Sequence, residues 1–343
     1  MKILPVFQPF LYLFCGLLSL QVHANEADDA NTACIVEKVA TLDGRTTVDE
    51  IRALCRAEQA QKTQGFDTTD TEDDSLIAKR IKDNRAEKYN SNVLNGYRRN
   101  YFMPVTYIRN PNAQPLIDNG TFESLDDIEA KFQLSFQVRL ADDLWLPEDS
   151  LSIGFTTEAF WQGYNRDESY PFREISYEPE IFYGFPSTWW PFEVDKGYVR
   201  LGLVHQSNGR DRPLSRSWNR MYADFIWEHG EWLHSFKPWW RIPQNERVPG
   251  EPGGDDNPDI EKFLGHFEYR ALYHWRDHEF SGMLRHNLRS DAKGALQLEW
   301  VFPLWSNRVR GIMQYHVGYG ETLLDYNAST ERVGIGILLT DLL

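Results

Sequence analysis

From about residue 92 to Leu343 the chain is a succession of alternating runs, and beyond residue 24 it contains no stretch of about 18 apolar residues. Together these features exclude a membrane helix and make each run a strand with one apolar and one polar face. In the clearest run, Phe132, Leu134, Phe136, Val138 and Leu140 oppose Gln133, Ser135, Gln137 and Arg139. Phe267, Tyr269, Ala271, Tyr273 and Trp275 oppose Glu268, Arg270 and His274 in the same way. Met313, Tyr315, Val317 and Tyr319 oppose Gln314 and His316, and the last run places Val333, Ile335, Ile337, Leu339 and Leu343 on one face. Less regular runs fall near 99–108, 151–162, 177–185, 231–241, 279–288 and 295–302, and a pair spans 198–228. The runs come to about twelve, the order expected of about 250 residues at roughly 20 per strand and connection. The connections are rich in Gly, Pro, Asp and Asn, as at Pro249–Pro258.

Alternation alone suits a soluble sandwich as well as a membrane barrel. The polar faces decide for the barrel. A sandwich turns a face rich in Lys, Glu and Thr to water, whereas here Arg, Gln, Glu and His stand beside Tyr and Trp, as a packed, hydrogen-bonded lumen requires. Aromatics make up 14% of the chain, with 12 Trp and 16 Tyr, enough for girdles at two membrane interfaces. The negative mean hydropathy is no objection, because lumen-facing residues keep the average polar. The expected fold is all-β, an antiparallel transmembrane β-barrel of about twelve strands. Its closure should involve the C-terminus, which ends on leucine where such barrels usually place an aromatic. A net charge of −15 excludes nucleic acid as a partner, since phosphate neutralisation needs an excess of Lys and Arg.

The first 24 residues, with Lys2, an apolar run from Val6 to Leu20 and Val22-His23-Ala24 before Asn25, read as a secretory signal peptide. Cys15 leaves with it. Cys34 and Cys55 remain, an even pair in an exported chain, so a disulfide between them is expected. Residues 25–91 form an N-terminal extension. Thr47-Val48-Asp49-Glu50 fits a capping box, with Val48, Ile51, Leu54 and Cys55 at helical spacing. The acidic, Thr-rich stretch from Asp67 to Asp74 and the charges up to Lys88 read as a solvated linker. Residues 92–343 form the barrel.

One strand pair breaks the pattern. Val199, Leu201, Leu203, His205 and Ser207 share one face, and Asn219, Met221, Ala223, Phe225 and Trp227 share a face of the next run. Three polar residues therefore stand on apolar faces of adjoining strands. A lipid-facing hydroxyl or imidazole is costly, and one alone would be an interfacial residue. Convergence of Ser, His and Asn points to catalysis, with Ser207 as nucleophile, His205 as general base and Asn219 holding the ring in its working tautomer. His205 must be neutral to act, so activity should fall in acid.

The stretches His205-Gln-Ser-Asn-Gly-Arg210 and Ser215-Arg-Ser-Trp-Asn-Arg220 resemble the active-site signature of the outer membrane phospholipase A family. So do Glu168–Glu174, Tyr177-Glu-Pro179, Asp255–Ile260, Gly318–Glu321 and Arg332–Gly336. The resemblance covers roughly residues 92–343. It implies a twelve-stranded outer-membrane barrel that hydrolyses phospholipid acyl esters, needs Ca²⁺ and acts as a homodimer. The family's triad falls on Ser207, His205 and Asn219. Its calcium ligands fall on the Ser215 hydroxyl, the Arg210 carbonyl and the carbonyl of Ser169 of the partner subunit, all hard oxygens. The ion and the Gly209 N–H would stabilise the oxyanion. Two departures stand out: Arg212 follows Asp211 where relatives carry an acid, and Thr157 lies near the place of a dimer-interface glutamine. A passive barrel and a soluble periplasmic binding protein remain as alternatives, the first tested by conductance and the second by extraction without detergent.

Overall fold

The computed structural model describes Ile51, Cys55 and residues 75–77, 95–168, 171–248, 253–306 and 309–340. The expected signal peptide, Cys34, Ser169 and most of the acidic linker lie outside these residues. The chain divides into two units, Met1–Asp73 and Asp74–Leu343. In the first, Ile51 and Cys55 are helical and buried where the capping box places a helix, and Cys55 is disulfide-bonded.

The second unit is a closed antiparallel barrel. After the two-residue β1 (Asn95–Gly96) come twelve strands: β2 (Asn100–Arg109), β3 (Ile128–Asp142), β4 (Ser150–Trp161), β5 (Phe172–Pro186), β6 (Lys196–Ser207) and β7 (Ser217–His229), then β8 (Trp232–Ile242), β9 (Phe267–Trp275), β10 (His278–His286), β11 (Gly294–Ser306), β12 (Val309–Tyr319) and β13 (Ser329–Thr340). Each pairs with its sequence neighbours and β13 pairs with β2, so the ladder has no free edge. Closure satisfies the backbone hydrogen bonds that hydrocarbon cannot. The twelve runs read from alternation are these strands.

Outward positions carry exposed Leu134, Ile181, Leu201, Leu203, Leu298 and Ile335, while their strand neighbours Ser135, Glu180, Arg200, Gly202, Glu299 and Gly334 point inward. The two ends differ. One has tight turns, such as 230–231 and 276–277, and there Trp190, Phe192, Trp227, His234, Trp232 and Tyr273 form one series of ring contacts and Trp275, His278 and Trp300 another. Trp240 is an exposed wall residue, whereas its neighbour Trp239 turns inward and packs edge-on against Trp218. The other end carries the long connections 110–127, 208–216, 243–266 and 320–328. They hold two short helices, α1 (Gln114–Asp118) and α2 (Glu261–Leu264). Ile260, Leu264, Leu323 and Tyr326 from these connections join Trp218, Tyr222 and Trp239 in one apolar cluster across the mouth. Leu116, Phe122, Leu214 and Leu324 form a second.

Ion pairs fill the lumen. Arg173 donates to Glu129 at 3.0 Å and to Asp325 at 2.7 Å, and Arg332 pairs with both Glu129 and Glu321. Lower down, Arg220 reaches Glu178 at 3.0 Å, Arg98 reaches Glu180 at 2.8 Å and Arg200 reaches Asp224 at 2.5 Å. Ile77, within the stretch expected to be solvated linker, is buried and its N–H donates to Glu228 at the tight-turn end of β7. Arg173→Leu would leave Glu129 and Asp325 short of a counter-charge. The expected loss is about 3–5 kcal/mol of barrel stability, measured as a shift of the urea unfolding midpoint in lipid vesicles.

Candidate active site

The site lies where β6 and β7 run into the long-connection end. Antiparallel register sets His205 directly opposite Asn219, and Ser207 opposite Ser217. Cross-strand partners share a face, so His205 Nδ1 meets Asn219 Oδ1 at 2.8 Å. With the amide oxygen accepting, Nδ1 carries the proton and Nε2 is left with a lone pair. His205 is exposed on the outer wall, with Leu201, Leu203 and Met221 along the same faces. Trp240 and Ile242 on β8 extend this surface, paired with Met221 and Asn219. Ser207 is half-buried, two residues beyond His205 on the same face and opposite Tyr177 of β5. Among the described residues no hydrogen bond joins the Ser207 hydroxyl to the imidazole. Such contacts often tighten only when substrate is bound.

Beyond Ser207 the chain makes a closed loop. Gly209 adopts φ +62°, a left-handed conformation that favours glycine, and an added Cβ would stand 3.2 Å from the Tyr177 ring. Gly209 is exposed, and among the described residues its N–H donates to nothing. Asn208 closes the loop: its Nδ2 donates to Leu214 O at 2.8 Å and to Glu174 Oε1 at 3.1 Å, and its Oδ1 accepts from the Arg216 N–H at 2.9 Å. Arg210 Nε donates to Glu174 Oε2 at 3.0 Å, which turns its side chain toward β5. Arg212 does not run out into solvent. Its Nε donates to Asp256 Oδ1 at 3.1 Å.

The remaining oxygens of this loop suit a hard cation. Among the described residues, neither the Arg210 carbonyl nor the Ser215 hydroxyl oxygen accepts a hydrogen bond, so both are available as ligands. No group of three or more His, Cys, Asp or Glu side chains with metal-binding geometry occurs among the described residues.

The structure thus brings His205, Asn219 and Ser207 to one patch of wall, with Gly209, Arg210 and Ser215 in the loop that follows. Thr157 is on the outer face of β4, between Leu134 and Tyr177. Sequence reading overlooked Asn208, Glu174 and Asn257 as loop holders. The only signal was an Asn at a turn, where its side chain commonly bonds nearby backbone.

Comparison with known proteins identifies the family. A family model described as phospholipase A1 matches residues 77–339. The chain is 35% identical over 268 residues to a phospholipase A1 of Escherichia coli, covering 78% of this chain and 87% of that protein. It is 35% identical over 253 residues to a putative phospholipase A1 of Neisseria meningitidis serogroup B, covering 71% and 64%. Among solved structures it is similar to an asparagine-to-alanine active-site mutant of Escherichia coli outer membrane phospholipase A, with TM-score 0.70, 34% identity and coverage of 78% and 100%. The calcium-bound dimer of the Salmonella typhi outer membrane phospholipase gives TM-score 0.68, 34% identity and coverage of 77% and 98%. With a family match over most of its length and curated relatives at this level, the chain belongs to the phospholipase A1 family of outer-membrane β-barrels.

Proposed function

We propose that this chain hydrolyses acyl esters of the phospholipids that surround it in the bacterial outer membrane. The observation that carries the reading is the His205–Asn219 hydrogen bond on a lipid-facing wall, two residues from Ser207. A lipid ester lies just below the headgroups, at the edge of the apolar slab. A nucleophile on the outer wall at that depth meets its substrate by lateral diffusion, without extracting it from the bilayer.

In this reading the Ser207 oxygen attacks the ester carbonyl carbon while His205 Nε2 takes the hydroxyl proton. The tetrahedral oxyanion is stabilised by the Gly209 N–H. As the carbon–oxygen bond to glycerol breaks, the imidazolium returns its proton to the leaving oxygen, and an acyl-serine remains. Water then attacks the acyl carbon, His205 takes its proton and hands it to Ser207, and the fatty acid departs. Asn219 keeps Nδ1 protonated and the ring in place throughout. Unlike an aspartate, it adds no negative charge at the lipid surface. Calcium, when bound, would supply positive charge beside the oxyanion. The Arg210 carbonyl and Ser215 hydroxyl would hold it, with Ser169 of the partner subunit as a third ligand from a homodimer. The calcium-bound dimer of the Salmonella relative supports this part.

Ser207→Ala is expected to lower phospholipid hydrolysis in detergent by about a thousandfold or more, with the folded-barrel gel mobility unchanged. Hydrolysis at the parent rate would refute the mechanism. Asn219→Ala should retain more activity than Ser207→Ala, since an orienting amide contributes less than the nucleophile. EDTA should abolish activity and added calcium restore it. Magnesium should restore it poorly, because it sheds its water shell reluctantly and demands near-octahedral geometry, whereas calcium accepts irregular sets of carbonyl and hydroxyl oxygens.

A further inference from the structure

The loop 208–216 carries two arginines with different tasks. Arg210 offers its carbonyl to the proposed ion, while Arg212 has no part in the chemistry described above. Its side chain is nevertheless held at two points. Nε donates to Asp256 Oδ1 at 3.1 Å, and a terminal nitrogen donates to the Gly253 carbonyl. The Asp256 side chain is nearly buried and also lies 3.5 Å from Arg247. The next residue, Asn257, accepts from the Ser217 N–H at 3.0 Å. Two adjacent residues, 256 and 257, therefore grip 212 and 217, the positions that bracket Ser215.

The gripping segment is itself anchored. Arg241, at the end of β8, donates to both oxygens of Asp255 at 2.7 Å and to the Pro258 carbonyl at 3.0 Å. Hydrogen bonds thus tie the barrel wall through 255–258 to both sides of Ser215, charge-assisted at Arg241 and Arg212 and neutral at Ser217.

We infer that Arg212 is a positioning residue: its pair with Asp256 holds the loop in the shape that presents the Arg210 carbonyl and the Ser215 hydroxyl together, so that an arriving calcium ion need not order it. The inference rests on the calcium reading given under the proposed function. Pre-ordering raises affinity by removing an entropic cost of binding. A guanidinium near a cation would act in the opposite sense, by repulsion. Here Asp256, shared with Arg247, offsets part of that charge, so the ordering effect should prevail.

The two effects differ in sign, and calcium binding measured by calorimetry on the detergent-solubilised protein separates them. Arg212→Gln and Asp256→Asn should each weaken calcium binding roughly twofold to tenfold, the range of a partly exposed, charge-assisted pair. The exchange variant Arg212→Asp/Asp256→Arg should recover most of that loss. Turnover at saturating calcium should stay at the parent rate in all three, and heat-modifiable gel mobility checks that each barrel is folded. If Arg212→Gln bound calcium as tightly as the parent or more tightly, repulsion or indifference would replace positioning. If the exchange variant stayed as weak as the single ones, the two side chains would not act as a pair and the inference would fall. A parent protein that bound no calcium would instead overturn the calcium reading itself.

Discussion

Backbone hydrogen-bond closure in hydrocarbon is the constraint on which this structure depends. A strand edge facing lipid would leave a row of unpaired amides and carbonyls, each costing several kcal/mol. The pairing of β13 with β2, and of β3 with β4, removes that edge. Closure then fixes which face of every strand meets lipid, and so turns alternation into a wall and a lumen. The position of the candidate site is a consequence. His205 faces lipid because Leu201 and Leu203 do.

The lumen answers a second demand. Inward side chains cannot be left charged and alone, and they pair in connected sets, as with Glu129, Arg173, Arg332, Glu321 and Asp325. These sets reach into the connections as well as across the strands. Asp325, from the 320–328 connection, binds Arg173 on β5, and Leu324 N–H donates to the same Glu174 that receives Asn208 and Arg210. The loop proposed to hold calcium is thereby continuous with the packed interior. Rigid support of this kind suits the proposed site, which would have to place an oxyanion donor and two cation ligands around one ester.

Chemistry on the outer wall of a barrel, as proposed, would also explain why the residue paired with His205 is an amide. A carboxylate at the membrane surface would add a charge that the bilayer disfavours, whereas the Asn219 amide meets Nδ1 at 2.8 Å without one. As proposed ligands, the neutral oxygens of Arg210 and Ser215 would follow the same economy. In the proposed mechanism the charge would be carried by mobile calcium rather than built permanently into the lipid-facing surface.

What the chain determined by itself was the alternation, and with it strand number, the lipid-facing parity of His205, Ser207 and Asn219, and the aromatic load at the rims. These are local properties of period two, so they can be read without knowing any partner. What tertiary structure decided was whatever depended on register and on long connections. That His205 stands opposite Asn219 follows from the β6–β7 pairing, which a nine-residue loop between the strands does not dictate. That Arg212 meets Asp256, that Asn208 ties Leu214 to Glu174, and that Trp239 turns inward while Trp240 turns out depend on residues brought together from 34 to 44 positions apart in the first two cases. No sequence period encodes such contacts. They exist because barrel closure carries one end of every second strand to the same rim, where side chains distant in the chain must satisfy one another.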